Sequence, residues 1–310
     1  MNTTTDNAMT RGRAVFAGAE SRPNPERVER LTGICAAEIL DAFGLAGVER
    51  GRVALDAVAH FAAKRMAYKA AVYDEVVGGA GLKSGGVWAA SQMAKSLDFI
   101  GADDVPDEGP LLIVSNHPGL SDTVALFSAI PREDLKIVAA ERPFLEALPN
   151  TSKYLLTVDE ASERRFGLIR DAAKHMKSGG AVLTFPGGGI EPDPALLPGA
   201  AEALGKWSES LKLFTRLVPK LTVVPVIVGG VLSKRALGNP VSMLRRTERD
   251  RRWLAATIQM LAPKLHGTAV RVEFGKAVRA DGDEVSEKVL DEARRLIARS
   301  GGSESRKGFS

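Results

Sequence analysis

Through roughly the first hundred residues, apolar positions recur at helical spacing; beyond them they contract into short runs, and this change of period divides the chain. Val28, Leu31, Ile34, Cys35 and Ile39 share one helical face behind Pro25, which predicts an amphipathic helix ending near Gly44 or Gly47. Leu55, Val58, Ala62, Met66, Ala70, Tyr73 and Val77 predict a second helix closed by Gly78 and Gly79, and a third follows over 86–99. An acidic turn with Pro and Gly fills 103–109, and the sheet is expected to begin after it.

Strands are predicted at 111–114, 135–140, 154–158, 181–185, 221–228 and 270–274. Helices are predicted at 121–130, 162–176, 204–218 and 286–298, with a short apolar turn or helix at 144–148. Pro225 inside the fifth strand favours an edge, a bulge or a strand start. Strands alternating with helices of this length imply an α/β fold, a mostly parallel sheet flanked by helices in αβα layers, with an N-terminal helical segment. That segment is either a subdomain or a layer against the sheet. The expected organisation is a disordered arm over 1–22, helices over 23–103, an α/β domain over 104–299 and a disordered tail over 300–310.

Composition leaves this picture intact. The 310 residues are 45% hydrophobic and 26% charged, ordinary for a packed protein, with few aromatics and many glycines. The one cysteine, Cys35, lies in a helical pattern and reads as a small core residue. With neither a basic apolar leader nor an uninterrupted apolar run of about 18 residues, the expectation is a cytoplasmic protein, or one peripheral on the inner face of the membrane. A net charge of +4 is a modest excess, and its placement matters more. Arg245, Arg246, Arg249, Arg251 and Arg252 precede Trp253, Leu254, Ile258 and Leu261, a basic amphipathic helix that reads either as a solvated face or as a contact for a membrane surface or an acyl carrier protein.

Candidate chemistry concentrates where the first strand ends. The run 111–122 breaks at Pro118 and Gly119 into a polar turn holding His117 and Asp122, five positions apart. An imidazole is the side chain best matched to moving a proton near neutral pH, and Asp122 could hold one ring nitrogen while the other faces a substrate. A loop histidine that only caps or hydrogen-bonds is the alternative. A second candidate follows the strand at 181–185, where Pro186, Gly187, Gly188 and Gly189 form a turn suited to close backbone approach, with Glu191 behind it. Both turns follow strands directly, and ligands in such sheets bind beyond the strands' carboxyl ends. No Gly-x4-Gly-Lys loop, Gly-x-Ser-x-Gly elbow or metal-ligand cluster occurs, so P-loop nucleotide, serine esterase and metal hydrolase readings fall away.

Asn116-His117-Pro118-Gly119-Leu120-Ser121-Asp122 resembles the Asn-His-x4-Asp block of the glycerolipid acyltransferase superfamily, typified by 1-acylglycerol-3-phosphate acyltransferases. The other blocks follow in order. Ala140-Glu141-Arg142 to Pro149 resembles the second loosely, Phe185-Pro186-Gly187-Gly188 the Phe-Pro-Glu-Gly block, and Val224-Pro225-Val226 the Val-Pro-Val block. The resemblance implies an O-acyltransferase that moves a fatty acyl group from an acyl-CoA or acyl carrier protein thioester to the hydroxyl of a lipid acceptor, without a cofactor or covalent intermediate. His117 would be the general base and Asp122 its orienting acid. Asn116, Arg142, Phe185, Pro186, Gly187, Gly188, Gly189, Glu191 and Pro225 would line the substrate site, with Gly187 to Gly189 as candidate oxyanion donors.

The departures bear on the acceptor. In the phosphate-acceptor enzymes the third block continues Phe-Pro-Glu-Gly-Thr-Arg, and its arginine is thought to hold the glycerol phosphate. Gly187 stands at that glutamate's place and Ile190 at the arginine's. The pattern therefore favours a neutral or non-classical acceptor over lysophosphatidic acid, unless Arg142, Lys153 or Arg164 substitutes. Glu191 either binds an acceptor hydroxyl or amine or starts a helix. A non-catalytic lipid-binding or carrier-docking protein on the same fold is the competing reading.

Overall fold

A computed structural model describes residues 22–158, 162–280 and 284–302. The arm expected over 1–22, apart from Arg22, and the tail beyond Gly302 lie outside these residues. The core is an eight-stranded sheet in the order β1-β7-β6-β2-β5-β3-β4, with β8 also on β6. Its strands are β1 (Ala94–Ile100), β2 (Leu111–Ser115), β3 (Lys136–Ala140), β4 (Leu155–Val158), β5 (Ala181–Thr184), β6 (Thr222–Gly229), β7 (Thr268–Phe274) and β8 (Val278–Arg279). β6, β2, β5, β3 and β4 run parallel, while β7, β8 and therefore β1 run against them.

The central strand β2 explains the layers. All five of its residues are buried, and successive side chains point to opposite faces. Leu111 and Ile113 join the core formed with α1 (Pro25–Ala42), α2 (Arg52–Met93) and α3 (Asp122–Ala129). Leu112 and Val114 join the opposite core, formed with α4 (Ser162–Lys177), α5 (Ser208–Leu217) and α7 (Val285–Gly302). Burying such a side chain contributes about 1.5–3 kcal/mol, so a strand buried on both faces anchors whatever follows it.

The N-terminal helices are a layer on this sheet. Buried Asp74 of α2 accepts the main-chain N–H groups of Asn150 and Thr151 and pairs with Arg27 of α1. One carboxylate thus ties both helices to the turn before β4. Cys35 is buried in the same layer, where burial, then the charge of Glu38, push its thiol up to about 12, as suits an inert core residue.

Three expectations change. The helix predicted over 86–99 gives way at Met93 to β1, which pairs with β7, so the sheet begins before residue 104 and the boundary between segments is not a structural one. Apolar residues at a sheet edge do not reveal their period in so short a window. The second helix is interrupted at Gly81, in a non-helical conformation at φ 82°, rather than at Gly78 and Gly79. Pro225 lies in the sheet interior, not at an edge, level with Val114. Its carbonyl accepts Gly275 N–H, so the side where a proline lacks its own N–H faces the break between β7 and β8, where no ladder bond is lost.

Candidate active site

β2 leaves the sheet through Asn116. Its side-chain amide donates to Val228 O and its side-chain oxygen accepts Val228 N–H, each at 2.8 Å. The side chain replaces main chain in the ladder, so the backbone can turn away while Val228 keeps both hydrogen bonds. Asn116, expected in the substrate site, is engaged in holding the turn in place.

The turn brings His117 back over the start of α3. Gly119 has no room for a side chain, since a Cβ there would lie 2.6 Å from Val231 Cγ1. Asp122 is fully buried at the first residue of α3. Its Oδ1 accepts the N–H of Thr123 at 2.6 Å and the Thr123 hydroxyl at 3.2 Å. Its Oδ2 accepts Gly119 N–H at 3.1 Å and lies 2.8 Å from His117 Nδ1. A carboxylate only accepts, so Nδ1 carries the proton of the neutral ring and Nε2 is left with a free lone pair. The imidazole packs beside Phe185 with centroids 4.9 Å apart, and 23% of its side chain stays exposed. Burial opposes charge on the ring, but the charge and hydrogen bond of Asp122, with the charge of Glu191, outweigh it, while Arg142 pulls the other way. The net effect holds His117 above its ordinary value.

Glu191 secures the same histidine from behind. It donates its N–H to His117 O at 2.8 Å, and its Oε2 accepts His117 N–H at 3.1 Å. Its Oε1 accepts the indole N–H of fully buried Trp207 at 3.1 Å. Both oxygens therefore accept protein donors, which ties Glu191 to the His117 peptide and to Trp207. Burial pushes its carboxyl above the usual range, against the pull of these hydrogen bonds and nearby positive charge.

The glycine turn is shaped by what it abuts. A Cβ on Gly187 would lie 2.5 Å from the Glu191 carboxyl carbon, and one on Gly189 would lie 2.6 Å from Arg249 Nη2. Gly188 adopts the left-handed region at φ 65°, and its N–H is taken by Phe185 O. Gly188 is thus removed from the candidate oxyanion donors. The N–H groups of Gly187 and Gly189 have no protein acceptor among the described residues. Phe185 and Pro186 lead into this turn beside the imidazole, whereas Pro225 lies inside β6. Arg142, at the end of β3, pairs with Glu38 at 3.3 Å and lies over the Trp253 ring at 5.4 Å.

Two residues of this region carry no signal in the motifs. Buried Asp193 accepts four main-chain N–H groups, from Ala195, Gly230, Val231 and Leu232, and so fixes the loop that walls in Gly119. The Pro-Asp-Pro order at 192–194 marks a turn but not its distant partners. Trp207 is legible as a core residue of a helical face, but its hydrogen bond to Glu191 is not. The remaining histidines are tied elsewhere: His60 to Glu29, His175 to Asp134 O and His266 to Met260 O. Among the described residues no three metal-binding side chains cluster.

Residues 96–229 match the family model Acyltransferase. Comparison with curated proteins gives no match. Among solved structures, the chain is similar to the crystal structure of the 1-acyl-sn-glycerophosphate (LPA) acyltransferase PlsC from Thermotoga maritima, at 13% identity and a TM-score of 0.47, over 97% of this chain and 96% of that one. The matched segment contains the histidine turn, the glycine turn and β6, the elements that build the site. Over residues 96–229 the chain is thus similar to the Acyltransferase family, and the likeness falls on the segment that carries His117 and Asp122.

Proposed function

We propose that the chain transfers a fatty acyl group from an acyl-CoA or acyl carrier protein thioester directly to the hydroxyl of a lipid acceptor, with His117 as general base. The observation that carries this is the His117–Asp122 pair, joined at 2.8 Å with Nε2 left open. Nε2 takes the hydroxyl proton as the acceptor oxygen attacks the thioester carbonyl carbon, and Asp122 balances the charge of the imidazolium without taking its proton. The N–H groups of Gly187 and Gly189 are suited to the oxyanion of the tetrahedral intermediate. Collapse breaks the carbon–sulfur bond, and the departing thiolate recovers the proton from Nε2. No acyl-enzyme forms.

A neutral acceptor is supported by Ile190, which replaces the arginine of the phosphate-acceptor pattern with a buried apolar side chain. Attachment to an anionic membrane surface is supported by exposed Phe61, Met243 and Leu244 together with exposed Arg246. The arginine cluster contributes less charge than its composition suggests, because Arg245 pairs with Asp250 and Arg251 with Glu248. Among the described residues no helix is long and apolar enough to cross a membrane.

The test is thioester-dependent acylation of a panel of lipid alcohols by the wild type, His117→Ala and Asp122→Asn. Loss of His117 is expected to lower turnover by about two to four orders of magnitude. Undiminished turnover without it would overturn the mechanism.

A further inference from the structure

One basic group beside the glycine turn has no acidic counterpart among the described residues. Arg249 stands in the first turn of α6 (Glu248–Leu261), on an element outside the segment that matches the family. It is exposed and makes one long hydrogen bond, from Nη2 to Gly188 O at 3.4 Å; among the described residues it has no carboxylate partner. Its guanidinium fills the space beside Gly189 where a Cβ would stand. Trp253 lies one helical turn further along the same face of α6. Arg142 reaches that ring from the end of β3, lies 5.4 Å over its centroid, and has only half-exposed contact with Glu38 at 3.3 Å. One guanidinium therefore borders the glycine turn, a second lies over an indole one helical turn further along the same helix, and the N–H of Gly189, without a protein acceptor among the described residues, adjoins the first of them.

Planar guanidiniums and backbone N–H groups are the donors that recognise phosphate. From this arrangement we propose that Arg249, with Arg142, binds a phosphate group of one of the substrates. The inference rests on the acyl-transfer reading only for which substrates are considered. The phosphate belongs either to a coenzyme A donor or to a phosphomonoester acceptor. In the second case the charge missing at Ile190 is restored from α6, and the acceptor is not neutral.

Binding can be separated from turnover by working in the His117→Ala background of the full chain. Coenzyme A, a short-chain lysophosphatidate and an uncharged monoacylglycerol are titrated calorimetrically into this parent and into versions carrying Arg249→Gln, Arg249→Lys or both Arg249→Gln and Arg142→Gln. Removing Arg249 is expected to weaken one phosphate ligand by about 10–100-fold, as loss of a charged hydrogen bond does, and to leave monoacylglycerol unchanged. Lysine should recover part of the loss. The ligand that weakens identifies the source of the phosphate. A double variant that binds both phosphate ligands as the parent does overturns the proposal, as does a parent that binds neither. Full turnover in His117→Ala would instead overturn the reaction and leave the binding result standing.

Discussion

Glu191 donates its main-chain N–H to the carbonyl of His117 at 2.8 Å and accepts that residue's own N–H at 3.1 Å. The peptide of the proposed general base is therefore gripped from just beyond the third block, while its ring is gripped by Asp122 within the first. Replacing Glu191 with Ala leaves the N–H groups of His117 and Trp207 without their acceptor, at about 1–3 kcal/mol each. Displacement of a catalytic group by about 1 Å lowers rate by about a hundredfold, so kcat is expected to fall by roughly that factor with KM less affected. Kinetics together with thermal melts check this; wild-type kcat in a folded Glu191→Ala protein would refute a positioning role.

The pH profile follows from the raised proton affinity of His117. A general base must be neutral, so kcat/KM should rise with pH through a midpoint above the ordinary value of about 6.5. Asp122→Asn removes the largest influence holding the proton on, and its midpoint should move down along with a fall in rate. A wild-type midpoint at or below about 6.5 contradicts the electrostatics described.

Arg142 acts on the same group with the opposite sign. Its positive charge lowers the proton affinity of His117, so Arg142→Gln should move the acid limb to higher pH than in wild type. Rate–pH profiles of the two proteins decide it, and a shift to lower pH would show that the two charges do not interact as their placement implies.

Neighbouring glycines should fail in different ways. An alanine methyl at Gly187 would lie 2.5 Å from the Glu191 carboxyl carbon and displace the group that holds His117, so activity should fall more than stability. Gly188 has open space around it but adopts φ 65°, so Gly188→Ala should cost about 1–2 kcal/mol of stability with a smaller effect on rate. Denaturant melts and kcat for both variants test the contrast.

Asp193→Asn exchanges an acceptor of four N–H groups for a side chain with one oxygen and a donor that meets other donors. Losing these buried bonds should lower stability by about 2–4 kcal/mol, read as a reduced denaturation midpoint. An unchanged midpoint would show that the loop at Gly230 is held by other contacts.

Sequence alone determined the strands that are buried on both faces and the turns that end them. The runs around Leu111, Ala181 and Val223 are predominantly apolar, and proline or glycine follows each of them, so strand and loop were legible in local order. The His117–Asp122 contact was legible for the same reason, because its partners stand on one turn. Tertiary structure alone decided that residues 94–100 form a strand, since an edge strand is defined by pairing with β7, whose residues lie far along the chain. It also decided the contacts of Asn116, Glu191, Asp193 and Arg249. Each is a polar side chain whose part depends on which groups of the protein it meets, and those groups come from strands and helices brought together only when the sheet closes over its core.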